Sequence, residues 1–225
     1  MGIRRLGVMA GTVGALALGV ALPAPAGATT GGGMCQLAGT AAFSPGLGTT
    51  AQNFTYSFGG NLTGCQSTDS TAPATGTVEA GKTVAVGYSW TYTDSTGTHS
   101  GTATATYQEP VPTGNGSCAS STTSGTAFSN WADGTTTVVS YTTTGVAAGV
   151  SLSGTVVPSA TLSLLSYTGP TQAPPPSTHT VSTTRNSGDS AFGTLTFQPP
   201  DPTLCSSTGV TTAAISGGIG LGSAS

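Results

Sequence analysis

The chain has 225 residues, and only 5% of them are charged. Ser and Thr make up about a third of the sequence, so hydroxyl groups rather than charges must keep the surface hydrated. Four basic side chains cannot form a basic patch, which argues against nucleic acid or an anionic membrane surface as a partner.

The N-terminal segment has the pattern of a secretory signal peptide. Two arginines precede an apolar run over residues 6–22, and Ala26 and Ala28 supply the small residues of a cleavage site. We therefore expect residues 1–28 to be removed on export.

Residues 29–225 are the expected mature domain, a single secreted unit outside the cell or at its envelope, with a loose Gly-rich tail. Its basic residues are Lys82 and Arg185, which with seven acids leave a formal charge of about −5. No segment of it is long and apolar enough to span a bilayer. We expect a monomer.

Four cysteines are an even number in a chain with an export signal, which predicts two disulfides. Three connectivities are possible, and we favour the sequential one, Cys35 with Cys65 and Cys118 with Cys205. A structural metal site would need closely spaced Cys or His pairs. Because the sequence has none, we expect no metal and no cofactor.

Apolar and polar residues alternate along most of the mature chain, as is typical of strands with one buried face. No segment after the signal peptide has a helical period. The pattern and its turn residues predict strands over residues 37–43, 52–65, 84–92, 102–107, 125–131, 135–143, 150–156, 162–167, 179–185 and 191–197, with an edge strand over 209–215. Alternation places Phe54, Tyr56, Phe58 and Leu62 on one face of 52–65, and Val139 and Tyr141 on one face of 135–143. The last pair before that edge strand should form a hairpin through Asn186–Asp189.

The predicted fold class is all-β. We expect an antiparallel meander of about eight to ten strands that forms a barrel, with a two-sheet sandwich as the alternative.

The clearest predicted hairpin spans residues 82–107. One face of its first strand carries an apolar row with Trp90 at the centre of its aromatic part, and the opposite face carries only small or polar side chains. Flat rings suit sugar faces, so this row could bind a carbohydrate. We expect it to form the core instead, because the opposite face cannot.

Trp131 is the candidate ligand contact. It stands beside the tight Asp133–Gly134 turn, where an indole ring is difficult to bury, so we expect it to be exposed. The stretch from Trp131 to Tyr141, together with Gly64–Cys65 and the flanking Thr- and Gly-rich strands, resembles a family of small uncharacterised secreted β proteins of high-GC Gram-positive bacteria. The resemblance implies an exported β domain, and it implies no catalytic residues.

Candidate catalytic groups are few. Gly188-Asp189-Ser190 resembles the nucleophile segment of trypsin-like proteases, but Ala191 and Phe192 replace the glycines that should follow, so a turn is the better interpretation. The seven acids are scattered, and Asp residues in predicted turns are suited to local backbone bonding. We therefore expect no catalytic residues and no enzymatic activity.

Three functions remain open at this point. The first is a secreted, non-enzymatic β module of unknown specific role. The second is a β-barrel that binds a small apolar ligand or a carbohydrate, and the third is an extracellular hydrolase. A lined cavity beside Trp131 would favour the second.

Overall fold

The computed structural model describes residues 32–146 and 149–222, and the expected signal peptide lies outside them. The described residues form thirteen β-strands and one 3₁₀ helix. The elements are β1 (Gly33–Leu47), β2 (Gln52–Ser67), β3 (Gly76–Ala80), β4 (Thr83–Asp94), β5 (Gly97–Gln108), β6 (Thr113–Gly116), β7 (Ser120–Trp131), β8 (Thr136–Val146), β9 (Gly149–Val157), β10 (Ser159–Tyr167), β11 (Thr178–Ser182), β12 (Ser190–Gln198), the 3₁₀ helix (Pro202–Ser206) and β13 (Val210–Gly222).

Eight strands close into an antiparallel barrel, in the order β1-β13-β12-β9-β8-β7-β3-β2 and back to β1. Between β2 and β7, two short strands share one position in the wall. β3 pairs with one half of β2 and β6 pairs with the other half, and both also pair with β7. The expected all-β barrel is confirmed, and the sandwich alternative does not apply.

Two hairpins leave the barrel wall and form a second sheet. The hairpin β4–β5 is inserted between β3 and β6, and the hairpin β10–β11 is inserted between β9 and β12. They meet through β5 and β10, which gives the order β11-β10-β5-β4. The chain is therefore an antiparallel barrel with an attached four-stranded sheet, rather than a simple meander.

The main core fills the barrel, because alternate residues of each wall strand point inward. On β2 the inward residues include Phe54, Tyr56 and Leu62, which are all buried, as the sequence predicts. A smaller core lies between the second sheet and the barrel wall. Its buried members are Ala105, Tyr107, Phe128, Val138 and Leu162.

The aromatic row of β4 is only partly in a core. Val84 and Val86 pack against the smaller core, but Tyr88, Trp90 and Tyr92 lie beyond it and remain partly exposed. The expectation that Trp90 centres a core is therefore wrong. Alternation predicts correctly that these rings share a face, but the sheet that covers this face ends before it reaches them.

Two expectations near the C-terminus are corrected. The segments 179–185 and 191–197 do not form a hairpin, because β11 pairs with β10 in the second sheet while β12 pairs with β9 and β13 in the barrel. The region after 209 is not an edge strand with a loose tail. β13 runs to Gly222 and is paired on both sides, and a side chain at Gly217 would collide with the carbonyl oxygen of Thr194.

Both expected disulfides are present, Cys35–Cys65 and Cys118–Cys205, in the sequential pairing. The first joins β1 to β2 at one end of the barrel. The second, at the other end, links the segment between β6 and β7 with the 3₁₀ helix. Among the described residues, no helix has the length and apolar character needed to cross a membrane.

Candidate functional site

A cavity of about 170 Å³ lies inside the barrel. Its lining is mostly apolar and comes from the inward faces of the wall strands, with neighbouring ring centroids between 5.9 and 6.4 Å apart. The aromatic residues of these contacts are Phe43, Phe54, Tyr56, Phe58, Tyr141 and Phe197.

A chain of four hydroxyl groups gives this apolar space a polar side. The Tyr141 hydroxyl lies 2.7 Å from that of Tyr56, which lies 2.9 Å from Thr123 Oγ1, and Thr123 Oγ1 lies 2.7 Å from Thr143 Oγ1. These three links use three of the four hydroxyl protons, so one proton of the chain is left to donate to a further acceptor. Burial raises the pKa of both tyrosines, so both stay protonated.

One end of the barrel is covered by the 3₁₀ helix. Leu204 and Cys205 of this helix pack against the barrel core. The disulfide from Cys205 ties the helix to Cys118, whose backbone N–H donates to the carbonyl of Gly48 at 2.9 Å. This end is therefore covered by a covalently attached element.

The other end is covered by three loops that Arg185 holds together. Its Nη1 lies 3.2 Å from Asp69 Oδ2, and its Nη2 lies 3.1 Å from Asp133 Oδ2. Nη2 also donates to the carbonyl of Thr71 at 3.3 Å. These partners belong to the β2–β3 and β7–β8 loops, while Arg185 belongs to the β11–β12 loop and itself lines the cavity.

Trp131 lies at this same end and is less exposed than the sequence predicts. The indole packs against the barrel core and lines the cavity, and its Nε1 donates to Thr137 Oγ1 at 2.9 Å. Thr137 is fully buried and donates in turn to the carbonyl of Arg185 at 3.0 Å. The turn beside Trp131 does not force the ring outward, because the Arg185 loop covers it.

Most of the carboxylates are engaged in local turns. In each of four Asp-x-Thr sequences the aspartate Oδ1 accepts hydrogen bonds from both the backbone N–H and the hydroxyl of the threonine two residues later. These bonds hold the pKa of each aspartate below its usual range. The aspartates are Asp69, Asp94, Asp133 and Asp201.

Among the residues that the structure describes, Glu109 is the acidic residue that is buried. Its Oε2 accepts from the backbone N–H of Lys82 at 2.9 Å, at the base of the β4–β5 hairpin. Burial raises its pKa to about 7, and the nearby Glu79 adds to this rise. Neither glutamate lines the barrel cavity, so this pair does not face a ligand held there.

The protease-like segment is a turn, as the sequence indicates. The Asp189 N–H donates to the carbonyl of Asn186 at 3.1 Å, and Ser190 begins β12. The two histidines lie elsewhere: His99 contacts Asp94 at the tip of the β4–β5 hairpin, and His179 contacts the Tyr107 ring. Within residues 32–146 and 149–222, no group of three His, Cys, Asp or Glu side chains could hold a metal ion.

A second, open groove of about 820 Å³ lies on the outer surface beside β6. Thr, Ser and Asn side chains line most of it, and the amide of Asn115 donates to Asn53 Oδ1 at 2.7 Å. Thr123 and Thr143 border both this groove and the inner cavity. The hydroxyl chain therefore reaches from the barrel interior to its outer surface.

Sequence reasoning found some of the cavity residues and missed others. Alternation placed Tyr56 and Tyr141 on inward faces, but nothing in a strand pattern indicates that two hydroxyls 85 residues apart meet. The role of Arg185 was missed for the same reason, because its partners are distant in sequence.

No protein-family model, no curated protein and no solved structure matches this chain. The function must therefore be inferred from the geometry of the molecule itself.

Proposed function

We propose that the chain is a secreted, non-enzymatic binding module whose barrel holds one small, mostly apolar molecule. The observation that carries this proposal is the aromatic-lined cavity of about 170 Å³, which is covered at both ends and has a chain of four hydroxyl groups along one side. Export is supported by the N-terminal signal pattern and by the two disulfides.

The volume limits the size of the ligand. A dry cavity of about 150 Å³ lined by apolar side chains is large enough to bind benzene, and eight-stranded barrels either fill with side chains or hold one small ligand. We therefore infer a ligand with a single ring or a short branched chain. A hydroxyl or carbonyl group on it would pair with the Tyr56–Tyr141–Thr123–Thr143 hydroxyl chain.

A binding role without catalysis is consistent with the chemistry of the cavity. Its titratable lining groups are two tyrosines that stay protonated and Arg185, which is held by carboxylates. Four aspartates are committed to local turns, and the Glu79–Glu109 pair lies away from the cavity. Catalysis of hydrolysis would require an acid or base facing the ligand.

Calorimetric titration of the mature protein with benzene and with phenol tests the proposal. We expect both to bind with dissociation constants on the order of 0.1–1 mM, the range suited to such small ligands. The Tyr141→Phe variant should weaken phenol binding about fivefold and leave benzene binding unchanged, because only phenol uses the hydroxyl chain.

A matched pair of variants controls for the location. Ala127→Leu adds bulk inside the cavity and should abolish binding of both ligands, whereas Ala38→Leu adds the same bulk on the outer face of β1 and should leave binding unchanged. Failure of wild-type protein to bind either ligand, or equal binding by both leucine variants, would contradict the proposal.

A further inference from the structure

The β4–β5 hairpin carries aromatic rings that belong to neither of the two cores. Val84 and Val86, near its base, pack against the smaller core, while Trp90 and Tyr92 lie nearer the tip and are partly exposed. Their strand forms the edge of the second sheet, since β5 is the one strand among the described residues that pairs with β4. The outer half of this hairpin therefore presents an aromatic strip to solvent.

The strip is continuous. The Trp90 and Tyr92 rings are 5.7 Å apart and inclined by 22°, and the Tyr92 and His99 rings are 5.0 Å apart and inclined by 25°. The indole of Trp90 also lies across the neighbouring strand at Gly101, where a Cβ would come within 2.7 Å of the ring. The absence of a side chain at Gly101 thus makes room for the ring to lie across both strands.

Hydrogen bonds at the hairpin tip hold the end of the strip in place. Asp94 Oδ1 accepts from the Thr96 backbone N–H at 2.8 Å and lies 3.2 Å from His99 Nε2. Thr96 Oγ1 lies 3.0 Å from the same nitrogen. The His99 ring is therefore positioned against Tyr92 before any ligand arrives, which lowers the entropy cost of binding.

Charge decides among the ligands that stack on aromatic rings. Single-stranded nucleic acids stack on such strips, but they also need cations along the backbone. The mature chain has Lys82 and Arg185 as its basic residues; Arg185 is held by two aspartates at the barrel end, and Lys82 lies at the hairpin base. The strip itself carries the acidic Asp94 at its tip, so an uncharged ligand fits best.

We propose that the Trp90–Tyr92–His99 strip is a binding site for a neutral polysaccharide. The flat C–H faces of pyranose rings pack on aromatic faces, and sugar hydroxyls can bond to the Asp94–His99 pair and to the backbone groups along the β4 edge, with which no described strand pairs. This site is separate from the barrel cavity and does not depend on the function proposed for it.

Sedimentation with insoluble polysaccharides tests this proposal. Mature protein is mixed with microcrystalline cellulose, with chitin and with β-1,3-glucan, and the bound fraction is measured over a range of polysaccharide concentrations. We expect the protein to bind at least one of the three, with an affinity that 0.5 M salt leaves unchanged because no ion pair is involved. The affinity of Trp90→Ala should be about tenfold weaker than that of wild type, and the affinity of Trp90→Phe should be close to that of wild type.

A control on the same strand separates the strip from a general change in the hairpin. Thr91→Ala alters the opposite face of β4 and should leave binding unchanged. Urea unfolding of each variant checks that it remains folded, and Ala127→Leu, which fills the barrel cavity, should bind polysaccharide normally. In a Trp131→Phe background, the fluorescence of Trp90 should shift to shorter wavelength on binding.

Three results would overturn the proposal. The first is no binding to any of the three polysaccharides, and the second is equal binding by wild type and a folded Trp90→Ala variant. The third is concentration-dependent self-association that Trp90→Ala removes, which would make the strip a contact between copies of this chain.

Discussion

Glu109 makes the stability of the molecule depend on pH. The residue is 2% exposed, and burial raises the pKa of its carboxyl from 4.5 to about 7. The folded state therefore binds a proton more tightly than the unfolded state, so the contribution is fully present below about pH 4.5 and is lost as the pH rises through 7. We expect the free energy of unfolding to fall by on the order of 3 kcal/mol between pH 5 and pH 8.

Urea unfolding of wild type and Glu109→Gln at these two pH values measures this effect. The glutamine can still accept the Lys82 N–H but does not ionise, so its unfolding free energy should change much less over the same range. The four turn aspartates have lowered pKa values and remain ionised throughout this window. An equal pH dependence in both proteins would show that Glu109 does not titrate here.

The two tryptophans should contribute unequally to stability. Trp131 packs on the barrel core and donates to the buried Thr137, so Trp131→Ala should cost about 2–4 kcal/mol. Trp90 lies outside both cores, so Trp90→Ala should cost about 1 kcal/mol. Urea midpoints in the reverse order would mean that the strip is part of a core and that Trp131 is a surface residue.

At the scale of the elements, Arg185 holds three loops over one end of the barrel. It contacts Asp69 and Asp133, and each pair is only partly shielded from water, so each contributes at most about 1 kcal/mol. The main effect of Arg185→Gln should therefore be local. We expect faster amide hydrogen exchange in residues 68–75 and 132–135, measured by mass spectrometry, with little change in β12 and β13.

Arg185→Lys is the matched control for this variant. Lysine keeps the charge but cannot reach two carboxylates in a fixed fork, so its exchange rates should lie between those of wild type and the glutamine variant. If exchange in these loops is the same in all three proteins, the loops are held by other contacts.

The elements differ in how well the sequence predicts them. Alternation located β2, β4, β5, β7 and β8 and the inward positions of Phe54, Tyr56 and Tyr141, because period two is a local property. It could not tell which sheet a strand joins. For that reason it paired 179–185 with 191–197, although the chain leaves one sheet for the other between these segments.

The same limit explains the errors over Trp90 and Trp131. A strand pattern says which side chains share a face, but burial depends on what covers that face. The Arg185 loop, distant in sequence, covers Trp131, while the cover over the β4 row ends before Trp90. The cavity was likewise beyond prediction, because its volume depends on how the side chains of eight wall strands pack together.

For the whole molecule, the surface is hydrated by hydroxyl groups and the interior is arranged around a space. Ser and Thr occupy outward positions along the barrel wall, as in the pairs Thr142–Ser153 and Thr196–Ser216. The inward positions are mostly apolar, and their polar members include the hydroxyl chain and the buried Ser129. A disulfide secures each end of this barrel.

The most direct test of a ligand-holding interior is a crystal structure of the mature protein under xenon pressure. Xenon enters dry apolar cavities of this size. We predict a xenon peak inside the barrel between Ala127 and Tyr141, and no such peak in Ala127→Leu crystals treated in the same way. An interior filled by side chains, with no xenon peak in wild-type crystals, would contradict the proposal that the barrel is a binding site.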